Sequence, residues 1–132
     1  MSDEEQIRRT LAEFCVLLDE RRFREWSDLF TEDGTFCEHL TRAAIFTWIS
    51  GDQLAREPDL HRKHTVHNAI IDVRGDEAHV TCDLVMLDKR ADQPWFILTG
   101  KYTDHLVRDG GRWRFKDRQL ALVAMGETGS VR

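Results

Sequence analysis

The sequence predicts an α+β domain in which N-terminal helices cover one face of a cone-shaped, curved antiparallel sheet and enclose a pocket. Three observations carry this reading. Apolar residues recur at helical spacing near the N-terminus, as in Ile7, Leu11, Phe14 and Leu18. From Arg62 onward the pattern changes to the period of two that a half-buried strand shows. Tight-turn sequences separate the strand patterns, Asp109-Gly110-Gly111 most clearly. Helices followed by strands argue that the helices pack on one face of an antiparallel sheet. Long strands twist and curl, and a curled sheet closed by a helix leaves a hollow where a ligand can bind.

The elements follow in order. The first helix is predicted over residues 4–20 and the second over 22–30, with Phe23, Trp26, Leu29 and Phe30 on its apolar side. Thr31-Glu32-Asp33-Gly34 reads as a turn, and Thr35 to Leu40 as a short strand. Ser50 is placed to cap a short helix through Arg56, which Pro58 prevents from continuing. Strands are expected from His64 to Val73, from Glu77 to Leu87, from Trp95 to Arg108 and from Arg112 to Ala124. In the second of these Ala78, Val80, Cys82, Leu84 and Met86 share one face. Residues 1–125 form a single domain on this reading, and Gly126 to Arg132 a frayed tail.

Composition narrows the function classes. A chain of 132 residues suits one core. The formal net charge of −5 argues against a nucleic-acid surface, which needs clustered Lys and Arg. No apolar run approaches the roughly 20 residues that span a bilayer, and Met1-Ser2-Asp3-Glu4-Glu5 is too acidic for a signal peptide, so a cytoplasmic protein without a membrane partner is expected. Cys15, Cys37 and Cys82 form neither a disulfide framework nor a Cys-x-x-Cys metal motif, and read as reduced thiols. Neither a Gly-rich phosphate loop nor a dinucleotide fingerprint occurs, so no cofactor is called for.

Four stretches carry a family likeness: Leu17 to Phe23 with Trp26, Leu29 to Gly34, His64 to Asn68, and Gly110 to Phe115. In this order they resemble the SnoaL-like branch of the nuclear-transport-factor-like superfamily, a cystatin-like fold. The group that looks most similar contains scytalone dehydratase, bile-acid dehydratases and hexachlorocyclohexane dehydrochlorinase, which use an Asp–His pair. The resemblance implies that Asp19, at the end of the first helix, and His64, opening the first long strand, are that pair. Asn68 fits the His-x-x-x-Asn wording found in parts of the group. Where the dehydratases tend to carry pocket tyrosines, this chain has Leu18 and Glu38. Family members usually assemble through the open sheet face, which implies a homo-oligomer, a dimer or trimer.

The residues themselves support a site at Asp19 and His64. Asp19 falls on the same helix side as Cys15, beside the apolar stripe, and can point into a hollow. Alternatively it bonds the turn that follows it. An imidazole takes a proton from carbon or oxygen near neutral pH, and a carboxylate behind it fixes its tautomer and stabilises the imidazolium. His67, by strand alternation, faces away from His64, so the two do not share a metal, and no metal site is expected. Glu38 is a second acid or base if it faces inward, resembling the base of ketosteroid isomerases, and an edge-strand charge if it does not. Tyr102, the only tyrosine, supplies either a hydroxyl on the cavity wall or a packed core ring. Trp48 and Met86 either line the cavity or pack into the core.

These readings converge on a cofactor-free lyase or isomerase of the dehydratase or polyketide-cyclase type, acting on a small apolar or cyclic hydroxylated or carbonyl compound. Two alternatives stay open. The chain also resembles the structural β subunits of aromatic-ring dioxygenases, and the same pocket suits a small-molecule-binding module without turnover.

Overall fold

The computed structural model describes residues 1–128. Helix α1 spans Asp3–Asp19. It starts one residue earlier than periodicity suggests because Ser2 closes a capping box: its hydroxyl accepts from Glu5 N–H at 3.1 Å, and Glu5 Oε2 accepts from Ser2 N–H at 3.0 Å. The expected stripe of Ile7, Leu11, Phe14 and Leu18 is buried. The helix stops at Asp19, and Arg21 turns the chain in the left-handed region (φ 60°). Helix α2 (Phe23–Ser27) is shorter than expected, because Phe30 already belongs to a strand.

That strand, β1 (Phe30–Phe36), runs through the Thr31–Gly34 sequence expected to be a turn. Gly34 serves close approach here. A Cβ on it would lie 3.0 Å from the carbonyl oxygens of Phe115 and Thr31. The predicted strand from Thr35 to Leu40 is broken at Cys37 (φ 53°), leaving β2 as His39–Leu40. Helix α3 (Arg42–Ser50) was not expected; Thr41 caps it, accepting from Ala44 N–H at 3.2 Å, and Ile45 and Ile49 bury its inner side. Helix α4 (Gln53–Arg56) is capped by Asp52 rather than Ser50.

Strands β3 (His61–Arg74), β4 (Glu77–Lys89), β5 (Phe96–Asp109) and β6 (Arg112–Glu127) form an antiparallel meander. The sheet is curved, unclosed and mixed rather than purely antiparallel. Its order is β2-β1-β6-β5-β4-β3, and β1 lies parallel to β6. β6 continues past the expected end of order: Gly126 pairs with Ile97, Glu127 with Phe96, and Thr128 N–H donates to Trp95 O at 2.8 Å. The rest of the expected tail, residues 129–132, lies outside the described residues.

The predicted β4 face of Ala78, Val80, Cys82, Leu84 and Met86 is buried. At the hairpin end Phe14, Trp26, Phe30, Phe36 and Phe115 interlock, with ring centroids 5.2–6.3 Å apart, and fill the cone. Towards the β4–β5 connection the filling stops. There α3, α4 and the end of α1 close over a hollow.

Candidate active site

The hollow has a volume of about 780 Å³, within the range of small-molecule sites. One part of its wall is apolar, with Leu18, Phe36, Trp48, Met86, Leu98 and Leu120; another is polar, with Asp52, Arg62, Asp88, Arg90, Gln93 and Glu127. His64 lies on the same wall.

Asp19 and His64 meet across 45 residues of sequence. Asp19 Oδ1 lies 2.6 Å from His64 Nδ1, and Oδ2 accepts the His64 backbone N–H at 2.9 Å. The two side chains retain only 9% and 7% of their exposure. A carboxylate only accepts, so Nδ1 carries the proton, and in the neutral form of the ring Nε2 keeps its lone pair. Nε2 makes no hydrogen bond among the described residues and is not sealed from solvent, so it is open to a molecule in the hollow. Arg21 braces the approach. Its guanidinium donates to the carbonyls of Leu54, Glu57 and Leu60, at 2.9, 3.1 and 2.6 Å, tying the end of α1 to the chain entering β3.

Tyr102, Trp48 and Met86 all line the hollow. Tyr102 is 2% exposed, and burial pushes its ionisation upward, so the phenol stays a neutral donor. The Arg118 guanidinium sits 3.5 Å from its ring centroid. Trp48 packs on Phe36 and stacks on His39.

Two expected pocket residues lie elsewhere. Glu38 sits beyond the left-handed Cys37 and retains 87% of its exposure. Asn68 is itself left-handed (φ 56°), interrupts the β3–β4 register and turns outward to donate to Asp83 at 2.8 Å. Neither lines the hollow. His67 is exposed on β3 while His64 is buried. Among the described residues no group of three or more His, Cys, Asp or Glu is placed to hold a metal ion, and no helix is long and apolar enough to cross a membrane. Burial pushes the Cys15 thiol up to about 11 and raises that of Cys82.

Sequence reasoning missed the Arg62–Asp88 pair. Asp88, 5% exposed, accepts from Arg62 Nε at 2.7 Å and from Nη2 at 2.8 Å. The signal lay in the strand pattern: extending the β4 alternation one step past Met86 places Asp88 on the inner face.

Comparison with known proteins agrees with this architecture. A scytalone dehydratase-like protein from Novosphingobium aromaticivorans superposes with a TM-score of 0.83 at 26% identity, covering 98% of this chain and 89% of that one. An NTF2-like protein with a cystatin-like fold from the same organism gives 0.77 at 26% identity, covering 92% and 82%. A Catenulispora acidiphila protein, determined in complex with S-DNPA, gives 0.79 at 23% identity, covering 90% and 92%. No curated protein matches the sequence. The SnoaL-like domain model matches residues 1–119, nearly the whole chain, and the protein belongs to that family.

Proposed function

We propose that the protein is a cofactor-free lyase or isomerase of the dehydratase type, with the Asp19–His64 dyad moving the proton. One observation carries the reading: the imidazole is fixed by a buried carboxylate at Nδ1 and left open at Nε2 on a cavity wall. Nε2 takes a proton from a carbon next to an electron-withdrawing group. Asp19 stabilises the imidazolium that results. The apolar wall holds a small cyclic skeleton, and Tyr102 donates a hydrogen bond to a substrate oxygen. The likeness to a scytalone dehydratase-like protein at 26% identity supports the same reaction class.

The test is turnover of a panel of cyclic β-hydroxy ketones, followed by loss of water and appearance of a conjugated product. Asp19→Asn and His64→Ala proteins that fold should lose that turnover. Full activity in both would remove the dyad from the reaction.

A further inference from the structure

Two strand residues before His64, Arg62 lines the same hollow. Both belong to the inner face, since Arg62 pairs with Asp88 in the ladder and His64 with Met86. Two residues along a strand separate their backbones by about 6.6 Å. Nε and Nη2 of Arg62 are held by Asp88. Nη1 is not: among the described residues it makes no hydrogen bond, and it is not sealed from solvent. Asp52 Oδ2, its nearest other carboxylate, stands 3.8 Å away and accepts from Leu54 N–H at the start of α4. The other arginine on the wall, Arg90, is turned to Glu57, with contacts of 3.0 and 3.2 Å. The guanidinium of Arg62 is therefore locked in orientation by a buried carboxylate and keeps an unspent N–H at Nη1, on a residue that lines the hollow together with His64.

We propose that Arg62 Nη1 binds the carbonyl oxygen of the substrate and holds the negative charge that forms there. The proposal rests on the dyad reading and narrows it: the substrate is a β-hydroxy carbonyl compound, not an alcohol or halide lacking a carbonyl. His64 Nε2 removes the proton on the carbon next to the carbonyl. The C–H electron pair becomes the C=C bond of an enolate, and the carbonyl π pair moves onto the oxygen beside Nη1. Return of that pair re-forms C=O, makes the new C=C bond and expels the β-hydroxyl. The hydroxyl leaves as water with the proton that His64 carries, so substrate gives enone and water with His64 restored. A charge-assisted bond that strengthens as the oxygen gains charge favours the transition state over the ground state.

A phenolate mimics the enolate and needs no turnover. The probe is 4-nitrophenol, whose ionised and neutral forms are told apart by absorbance. In the full wild-type chain the bound probe should favour the phenolate by about tenfold, one pH unit in its titration. Arg62→Gln should abolish that preference and Arg62→Lys should retain part of it. Because Arg62→Gln leaves Asp88 buried without its partner, Arg62→Gln/Asp88→Asn is made beside it and removes both charges together. His64→Gln should keep the preference. An unchanged preference in the Arg62 variants, its loss only in His64→Gln, or no preference in wild type would each overturn the assignment. None of these results touches the dyad reading, which stands or falls on turnover in the Asp19 and His64 variants.

Discussion

Asp19 grips His64 at two points, one on the ring and one on the backbone. Its two oxygens accept the imidazole Nδ1–H at 2.6 Å and the peptide N–H of the same residue at 2.9 Å. A helix C-terminus and a strand start are thereby pinned by a single carboxylate. The ring cannot swing or change tautomer without breaking a buried, charge-assisted bond.

Asp19→Asn should therefore cost activity far more than fold. The amide can still accept the backbone N–H through its oxygen, but it presents N–H to Nδ1. That drives the ring proton onto Nε2 and removes the lone pair facing the hollow. Loss of the proposed general-base action should lower kcat by about 10²–10⁴. Weakening of a buried bond costs about 1–3 kcal/mol. Steady-state kinetics beside thermal melting check both, and a fall in kcat that merely tracks unfolding would remove the tautomer argument.

Filling the hollow separates binding from stability. Leu98 and Leu120 line the cavity without belonging to the fully buried core. Leu98→Trp places an indole in the space a ligand would occupy. Affinity for a small aromatic probe should fall at least about tenfold, equal to about 1.4 kcal/mol, while the melting temperature holds or rises. Unchanged affinity in a folded variant would place the ligand elsewhere.

Much of the fold was legible because its signals are local. The α1 stripe, the β4 alternation and the Asp109-Gly110-Gly111 hairpin each lie within one element, and all three appear as read. Misreadings arose where distant partners decide. β1 is a strand because β6, about eighty residues on, runs alongside it in parallel, and no local period announces that. Helix α3 hides its period: Ile45 and Ile49 face the core while Trp48 faces the hollow and Phe46 packs under Arg24. Glu38 and Asn68 were placed at the pocket by family resemblance, Glu38 with an edge-strand charge as the alternative, and resemblance does not register the left-handed backbone at Cys37 and Asn68 that turns both side chains away from the hollow. Arg62 was missed because a strand boundary at His64 leaves it outside the ladder, whereas β3 begins at His61. The Asp19–His64 pair was reached through the family resemblance, since residue spacing alone says nothing of two groups 45 positions apart.

Arg118 and Asp104 are both fully buried, with Nε 2.9 Å from Oδ1. The contact is an ion pair off the line of a hydrogen bond, so both carboxylate oxygens and two guanidinium nitrogens lack bonding partners. Arg118 is instead surrounded by the rings of Tyr102, Phe14 and Phe115 at 3.5, 4.2 and 4.7 Å. Removing one charge strands the other: Arg118→Met alone should cost about 3–5 kcal/mol, whereas Arg118→Met with Asp104→Leu should be near neutral. Chemical denaturation of the two singles and the double measures the difference, and additive losses would exclude mutual dependence.

The same pair gives stability a pH dependence of unusual sign for a carboxylate. Burial pushes Asp104 up to about 6, against the pull of the Arg118 guanidinium, from the ordinary 3.8 of an unfolded chain. Between those values the folded chain keeps a proton that the unfolded chain has released. Stability from this residue is thus greatest below about pH 4, falls as pH rises towards 6, and is level beyond; the slope is at most about 1.4 kcal/mol per unit. Exposed carboxylates act in the opposite direction: Asp33, held low by Lys116 and Thr31, and Glu25, held low by Arg22, stabilise the fold more as pH rises. The measured curve is a sum, so the Asp104 contribution must come from a difference. Denaturant midpoints taken from pH 4 to pH 7 should show wild type falling relative to Asp104→Asn as pH rises, because only the wild type loses the proton. Parallel curves would mean that Asp104 is already ionised throughout that range, held so by Arg118 despite its burial.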